Sequence, residues 1–96
     1  MADTRRHARF PLEVDVTVRS KRLGAIPGLS IDISESGIST TVPVELQIGE
    51  AVELHINLPA GSVDVQAFVR NRAAFRHGFE FADHKAARQL LAGYLH

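Results

Sequence analysis

Residues 10–19 read FPLEVDVTVR, a run in which an apolar residue occupies every second position from Phe10 to Val18. Most of the intervening positions carry charged side chains or a threonine. Since successive side chains of a β-strand point to opposite faces, this period of two predicts a strand with one buried face. The stretch therefore indicates a fold built from half-buried strands.

The same alternation recurs along the chain and predicts five further strands. They cover Leu29–Ile33, Gly37–Val42, Val52–Leu58, Val63–Arg70 and Gly78–Phe81. The stretch from Ser20 to Gly28 holds two glycines, a proline and basic residues, a composition typical of a turn. From Asp83, which is suited to cap a helix, apolar residues recur at helical spacing as far as Tyr94, so residues 83–96 are predicted to form an amphipathic helix.

This order of elements predicts an all-β fold, a six-stranded antiparallel β-barrel with a C-terminal α-helix. Closure of the barrel would also protect the strand edges. We expect a single domain over residues 1–96, with a flexible arginine-rich segment at 1–9, the barrel at 10–82 and the helix at 83–96. No helix comes early enough to build a βαβ unit, so a doubly wound nucleotide-binding sheet is excluded.

Composition narrows the class of function. The 96 residues carry 11 basic and 11 acidic side chains, and zero net charge argues against a domain that grips duplex nucleic acid through many phosphates. The first 22 residues nevertheless hold six basic and three acidic side chains, which suits a small anionic ligand. With no cysteine, no signal-peptide pattern and no membrane-spanning stretch, we expect a cytoplasmic protein without membrane insertion.

Two short motifs carry the candidate chemistry. The first, RRHAR at residues 5–9, places three guanidiniums close together, and a guanidinium both grips phosphate through two hydrogen bonds and lies flat on a purine. The second, DISESG at residues 32–37, places a carboxylate and a hydroxyl on one side of an extended chain. Together they predict a site for a guanine nucleotide with phosphates. The candidate ligand-binding residues are Arg5, Arg6, Arg9, Asp32, Ser34, Gly37 and Gly78.

Each of these features also has an ordinary structural explanation. An arginine cluster near a chain terminus is usually a solvated basic end, and Asp-x-Ser-x-x-Gly in a hairpin usually satisfies the backbone groups of a turn. Gly78 can mark a bulge or a corner as readily as a ligand contact. Arg70, Arg72 and Arg76 fit an exposed strand face better than a binding site.

Catalytic and metal chemistry are not expected. The five histidines are scattered, no pair has the spacing of a metal-binding helix, and each fits a surface position. Ser34 is not surrounded by the sequence of a nucleophile elbow or an oxyanion hole. We therefore predict that the protein is not an enzyme and has no metal or cofactor site.

The two motifs resemble those of the PilZ domain, the bacterial receptor module for cyclic di-GMP. Arg5 and Arg9 match its RxxxR motif, and Asp32, Ser34 and Gly37 match its DxSxxG motif. The likeness extends over essentially the whole chain. It implies the same six-stranded barrel with a C-terminal helix, and an N-terminal arginine segment that closes over the ligand.

The resemblance also implies a function. The protein would be a receptor or adaptor that binds cyclic di-GMP, changes the conformation of its arginine segment and signals to an unidentified partner protein, as a monomer or weak homodimer. Arg6 is one residue short of the motif spacing and is expected to support the site. The alternative is a ligand-independent structural or adaptor domain on the same barrel, and the presence of both motifs favours the receptor.

Overall fold

The computed structural model describes residues 9–83 together with residues 85, 88 and 92. Within them the chain forms seven strands: β1 (Phe10–Pro11), β2 (Asp15–Ser20), β3 (Gly24–Ile33), β4 (Gly37–Thr41), β5 (Ala51–Leu58), β6 (Gly61–Ala73) and β7 (Arg76–Phe81). Apart from Arg9, the segment at 1–9 lies outside the described residues, as does most of the helix expected at 83–96. Both stay predictions.

The strands close into an antiparallel barrel. Each strand pairs with the next in the order β3, β2, β5, β6, β7 and β4, and β4 pairs back to β3 to complete the ring. The two residues of β1 pair with the end of β3, in line with β2. The all-β fold and the six-stranded antiparallel barrel predicted from the alternating pattern are therefore confirmed.

The single strand predicted over residues 10–19 is interrupted. β1 and β2 both pair with β3, but their registers along it differ by one residue. The break follows Pro11, which has no N–H to donate. The Ser30 hydroxyl bridges the break by donating to the Leu12 carbonyl at 2.5 Å and accepting from the Val14 N–H at 2.9 Å. The prediction of one continuous strand is thus wrong at its centre, because the Ser30 hydroxyl takes the place of one backbone partner each for Leu12 and Val14.

The turn predicted for residues 20–28 is also shorter in the structure. Three residues form it, and β3 already begins at Gly24, whose positive φ of 81° suits a glycine. Pro27 is tolerated within β3 because this part of the strand pairs with β2, and pairing with β4 starts at Leu29. The glycine and proline content misleads here, since most of the stretch belongs to a strand.

The core fills the barrel and comes from the apolar positions of the alternating pattern. Sixteen hydrophobic residues are buried within the described part of the chain, and Val18, Ile33, Leu54, Ile56 and Val69 are completely enclosed. Burying one such side chain contributes about 1.5–3 kcal/mol. The interior of the barrel is therefore the main source of its stability.

His77 lies in this interior, and its predicted surface position is wrong. The ring is completely buried, with Nε2 accepting from the Leu46 N–H at 3.1 Å and Nδ1 donating to the Phe75 carbonyl at 2.9 Å. A neutral ring satisfies both nitrogens in this way, so it can be buried without an unpaired polar atom. Since Phe79 and Phe81 occupy the next inward positions of β7, the period of two places His77 in the core.

Two β-bulges interrupt the ladders of the barrel. One lies in β3 between Ser30 and Asp32, and the other lies in β6 between Val69 and Asn71. An extra residue on one strand re-aims the side chains that follow it. In β6, Val69 is buried whereas Arg70 and Asn71 are both exposed. The bulge therefore turns two consecutive side chains of β6 to the outside.

Glu50 ties the turn between β2 and β3 to the loop before β5. Its carboxylate accepts hydrogen bonds from the Ser20 hydroxyl at 2.5 Å and from the Gln47 N–H at 3.2 Å, and Arg22 pairs with it at 3.4 Å. Burial raises the pKa of Glu50, but the hydrogen bonds from Ser20, Gln47 and Arg22 and the Arg22 charge outweigh it. The pKa therefore lies below its usual value, and the ionised form stabilises the fold.

Replacing Glu50 with glutamine tests this contribution. We predict that Glu50→Gln lowers the free energy of unfolding by about 1–3 kcal/mol at neutral pH, because hydrogen bonds to a charged acceptor are lost. A lowered pKa stabilises the folded protein above the unfolded-state pKa, and the gain is lost as pH falls through the folded-state pKa. The difference between the proteins should thus shrink as pH falls below the unfolded-state pKa and vanish once pH is below the lowered folded-state pKa.

Urea unfolding over this pH range measures the difference. The control is Glu53→Gln, which removes the charge of an exposed ion pair with Arg19 and should change the free energy of unfolding by less than about 1 kcal/mol. A destabilisation by Glu50→Gln that persists undiminished in acid would contradict this explanation.

Gly37 and Gly78 lie on neighbouring strands and provide a matched pair of substitutions. A Cβ on Gly37 would overlap the Phe79 carbonyl oxygen, whereas one on Gly78 would first meet the exposed side chain of Asn71. We predict that Gly37→Ala lowers the free energy of unfolding by about 1–3 kcal/mol, because the backbone of β7 must move. Gly78→Ala should cost less than about 1 kcal/mol, since an exposed side chain can turn away. Chemical denaturation measures both values, and equal losses would refute the assignment.

Candidate functional site

The strand registers align four residues in one row across the outer face of the barrel. Asp32 of β3 pairs with Ser39 of β4, Ser39 pairs with Gly78 of β7, and Gly78 pairs with Asn71 of β6. Both bulges adjoin the row, since the register of β3 shifts just before Asp32 and that of β6 just before Asn71. We call this set, Asp32, Ser39, Gly78 and Asn71, the four-strand row.

Arg9 lies on one end of the four-strand row. Its Nη1 donates to Asp32 Oδ1 at 2.7 Å and lies 3.5 Å from Ser39 Oγ. A second guanidinium, that of Arg76, lies 3.8 Å from Asp32 Oδ2. Arg9 directly precedes β1, and the pairing of β1 with the end of β3 brings it to this place. The structure therefore brings one residue of the RxxxR motif into contact with the carboxylate of the DxSxxG motif.

Two cavities adjoin the four-strand row and share a wall. One of about 250 Å³ is lined by Gly37, Arg70, Gly78 and Glu80, among others. The other, of about 360 Å³, is lined by Asp32, Ser39, Arg76 and Ala73. Arg9 and Asn71 line both cavities. The two cavities thus adjoin each other. We call their shared boundary, formed by the Arg9 guanidinium and the Asn71 amide, the division.

Ser34 is not brought to this surface. Its side chain is 1% exposed, and its hydroxyl accepts from the Ser36 N–H at 3.2 Å and the Gly37 N–H at 3.3 Å. It also lies 3.1 Å from the Ser36 hydroxyl. These contacts are the turn chemistry that serine favours between two strands. Ser34 therefore fixes the turn from which Ser36 and Gly37 line the smaller cavity.

Gly37 and Gly78 both line the smaller cavity, each for a different reason. Gly37 allows β4 to approach the Phe79 carbonyl of β7. Gly78 lies opposite the β6 bulge and leaves room for the Asn71 side chain. It therefore adjoins both the bulge and the cavity. Both predicted glycines thus have a structural role in the shape of the cavity.

The arginines singled out in the sequence, apart from Arg9, divide into three groups. Arg5 and Arg6 lie outside the described residues, so their predicted roles are not tested. Arg72 donates to the Leu46 carbonyl at 2.5 Å and faces the loop before β5. Arg70 and Arg76, predicted as part of an exposed strand face, are exposed and also line one cavity each. Arg70 forms an ion pair with Glu80.

Sequence reasoning missed Ser39 and Asn71. The strand containing Ser39 was predicted, but its neighbours were not, and only the pairing of β4 with β3 and β7 places Ser39 between Asp32 and Gly78. Continued alternation after Val69 would point Asn71 into the core, and the bulge reverses this direction. No local pattern in the sequence marks that bulge.

The chemistry available at this surface is non-covalent binding. Guanidiniums, a side-chain amide and a carboxylate provide donors and an acceptor for a polar, anionic ligand. Within residues 9–83 and the three described residues beyond them, no group of acidic and histidine side chains could hold a metal ion. No helix in that part of the chain is long and apolar enough to cross a membrane.

Solved structures with the same fold include two PilZ domains and an inhibitor of motility. The PilZ domain of CeSA from a cellulose-synthesizing bacterium has a TM-score of 0.77 at 18% identity, covering 93% of this chain and 99% of its own. The PilZ domain of YcgR from Escherichia coli, solved with c-di-GMP, has a TM-score of 0.77 at 18% identity, covering 93% and 87%. The Bacillus subtilis inhibitor of motility MotI (DgrA) has a TM-score of 0.76 at 22% identity, covering 98% of this chain and 52% of its own.

At these identities the structural likeness concerns the fold. A search of curated proteins found no match. The family assignment comes from sequence, because the family model described as the PilZ domain matches residues 3–96. Since this match spans nearly the whole sequence, the chain belongs to the PilZ domain family.

Proposed function

We propose that this protein is a receptor for cyclic di-GMP. The observation that carries the proposal is the contact between Arg9 and Asp32, because it joins one residue of each sequence motif at a single surface. PilZ domains are known as a family of cyclic di-GMP receptors, and one similar domain, that of YcgR, was solved with this ligand. In general these domains bind ligands and regulate, so we propose a regulatory protein and not an enzyme.

The polar groups of the site match those of the ligand. Cyclic di-GMP carries two phosphodiesters and two guanines, and each guanine presents O6 and N7 as adjacent acceptors. The Arg9 guanidinium can hold a phosphate, or O6 and N7 together, through two hydrogen bonds. Asp32 can accept from the N1 and N2 hydrogens of guanine.

Ligand binding would exchange the ion pair between Arg9 and Asp32 for contacts to the ligand. The two side chains are 34% and 19% exposed. Partly exposed ion pairs are weak, since water already screens them, so the exchange costs little. The same ion pair positions both groups at the four-strand row before the ligand arrives.

Arg5 and Arg6 would complete the binding site from the N-terminal side. They precede Arg9 by four and three residues, so the chain keeps them within about 14 Å of it. We propose that bound ligand orders this arginine segment over the cavities. The altered surface would then be recognised by a partner protein.

Titration calorimetry with cyclic di-GMP tests the receptor function. We predict that the 96-residue chain binds, and that Arg9→Ala and Asp32→Ala each weaken binding by about tenfold to a hundredfold, because each removes a hydrogen bond that involves a charged group. The matched control is Arg19→Ala, which removes an exposed arginine paired with Glu53 on a different part of the barrel.

The two negative outcomes are distinct. If the wild-type protein gives no heat with cyclic di-GMP, the receptor function is wrong and the ligand-independent adaptor becomes the better hypothesis. If Arg9→Ala binds as tightly as the wild-type protein, the proposed site is wrong.

Amide hydrogen exchange tests the role of the arginine segment. We predict that saturating cyclic di-GMP slows exchange in residues 1–9 and leaves exchange in β5 unchanged, because ordering of a segment protects its amides. Arg9→Ala should reduce this protection at matched ligand occupancy. Equal exchange in residues 1–9 with and without bound ligand would rule out the proposed conformational change.

A further inference from the structure

Asn71 occupies an unusual position for an exposed side chain of a strand. It lies at the end of the four-strand row and, with Arg9, lines both cavities. Its amide makes no hydrogen bond within the described residues. The side chain therefore presents an unused donor and an unused acceptor at the division between the cavities.

Two features hold Asn71 in this position. The bulge between Val69 and Asn71 turns its side chain to the outer face. Gly78, its partner on β7, has no side chain in the space that Asn71 fills, since a Cβ there would overlap the atoms of the amide group. Gly78, opposite the bulge, thus leaves the space that the Asn71 amide occupies.

The neighbouring charges indicate whether the nitrogen or the oxygen of the Asn71 amide would contact a ligand. Asp32 lies on one side of the division and Glu80 on the other, and each carboxylate is paired with an arginine. Acceptors are therefore already present in both cavities, whereas the division itself holds the Arg9 guanidinium. A cyclic dinucleotide with one base in each cavity would place the ring of sugars and phosphodiesters that joins its bases over this division.

We propose that the Asn71 amide nitrogen donates a hydrogen bond to a phosphodiester oxygen of the bound cyclic dinucleotide, and that Gly78 is the residue that positions it. The inference rests on the proposed receptor function and extends it. It assigns Asn71 to ligand binding, and it changes the role of Gly78 from a ligand contact to a positioning residue.

Calorimetric titration of Asn71 variants with cyclic di-GMP tests the contact. Asn71→Ala should weaken binding by about tenfold, the effect of losing one hydrogen bond to a charged acceptor. Asn71→Asp should weaken it further, because a carboxylate of nearly the same shape cannot donate and repels the phosphate. Asn57→Ala, which removes an exposed asparagine from β5, is the matched control and should leave binding unchanged.

A double-mutant cycle tests the positioning role of Gly78. Gly78→Ala should weaken binding about as much as Asn71→Ala. The double variant should bind no more weakly than Asn71→Ala, because the space at Gly78 has no function once the amide is removed. If Gly78→Ala weakens binding equally with and without Asn71, the glycine acts independently and the positioning role is wrong. Thermal unfolding of each variant excludes a loss of fold as the cause.

Failure of this inference can be told from failure of the receptor function. Wild-type binding that is weakened by Arg9→Ala but unchanged in Asn71→Ala would overturn the inference and leave the receptor function intact. Tighter binding by Asn71→Asp would also overturn it, since the amide would then serve as an acceptor for guanine. A wild-type protein that does not bind would overturn both.

Discussion

The pairing of β4 with both β3 and β7 is the constraint on which the rest of the structure depends. Without it, β3 and β7 would be the two edges of an open sheet, and Asp32 and Gly78 would lie at opposite ends of that sheet. With it, the barrel closes, the edges are paired, and Ser39 lies directly between the two. The same closure encloses the apolar core, so the fold and the candidate site have one origin.

Local details then determine how the site is shaped. The Ser34 hydroxyl fixes the turn into β4, and Gly37 lets β4 approach the backbone of β7 closely. The bulges before Asp32 and Asn71 turn both polar side chains to the outer face at the two ends of the four-strand row. Ser34 thus supports the site from below, whereas Gly37, Asp32 and Asn71 line the cavities. In a motif such as DxSxxG, a serine can therefore be required by the backbone that carries the polar residues of the candidate site.

The sequence predicts the strands of this fold better than the pairing and register between them. Alternation marks the core positions of Val18, Leu54 and Val69, and the two motifs identify Arg9 and Asp32. The break within residues 10–19 is not predictable from the pattern, because it depends on a serine 16 residues beyond Val14 in the chain. Composition likewise assigns residues 20–28 to a turn, although most of them belong to β3. Pro27 lies where β3 pairs with β2 alone, and a Cβ on Gly28 would overlap Thr40 and Val42.

The candidate site shows the same limit. Ser39 and Asn71 reach it through register and through a bulge, both of which arise from pairing between strands distant in sequence. Strict alternation would even point Asn71 inward. The motifs identify the charged residues Arg9 and Asp32 of the candidate site. The neutral residues Ser39 and Asn71 can be identified only from the strand pairing of the closed barrel.

A nuclear magnetic resonance titration with cyclic di-GMP tests the central claim most directly, because backbone amide shifts report where a ligand lies on the barrel. The account predicts that the largest shift changes in the described residues fall at Asp32, Ser39, Asn71 and Gly78, across four strands that are adjacent only in the closed barrel. Changes confined to the outer face of β5, or no changes at saturating ligand, would contradict it.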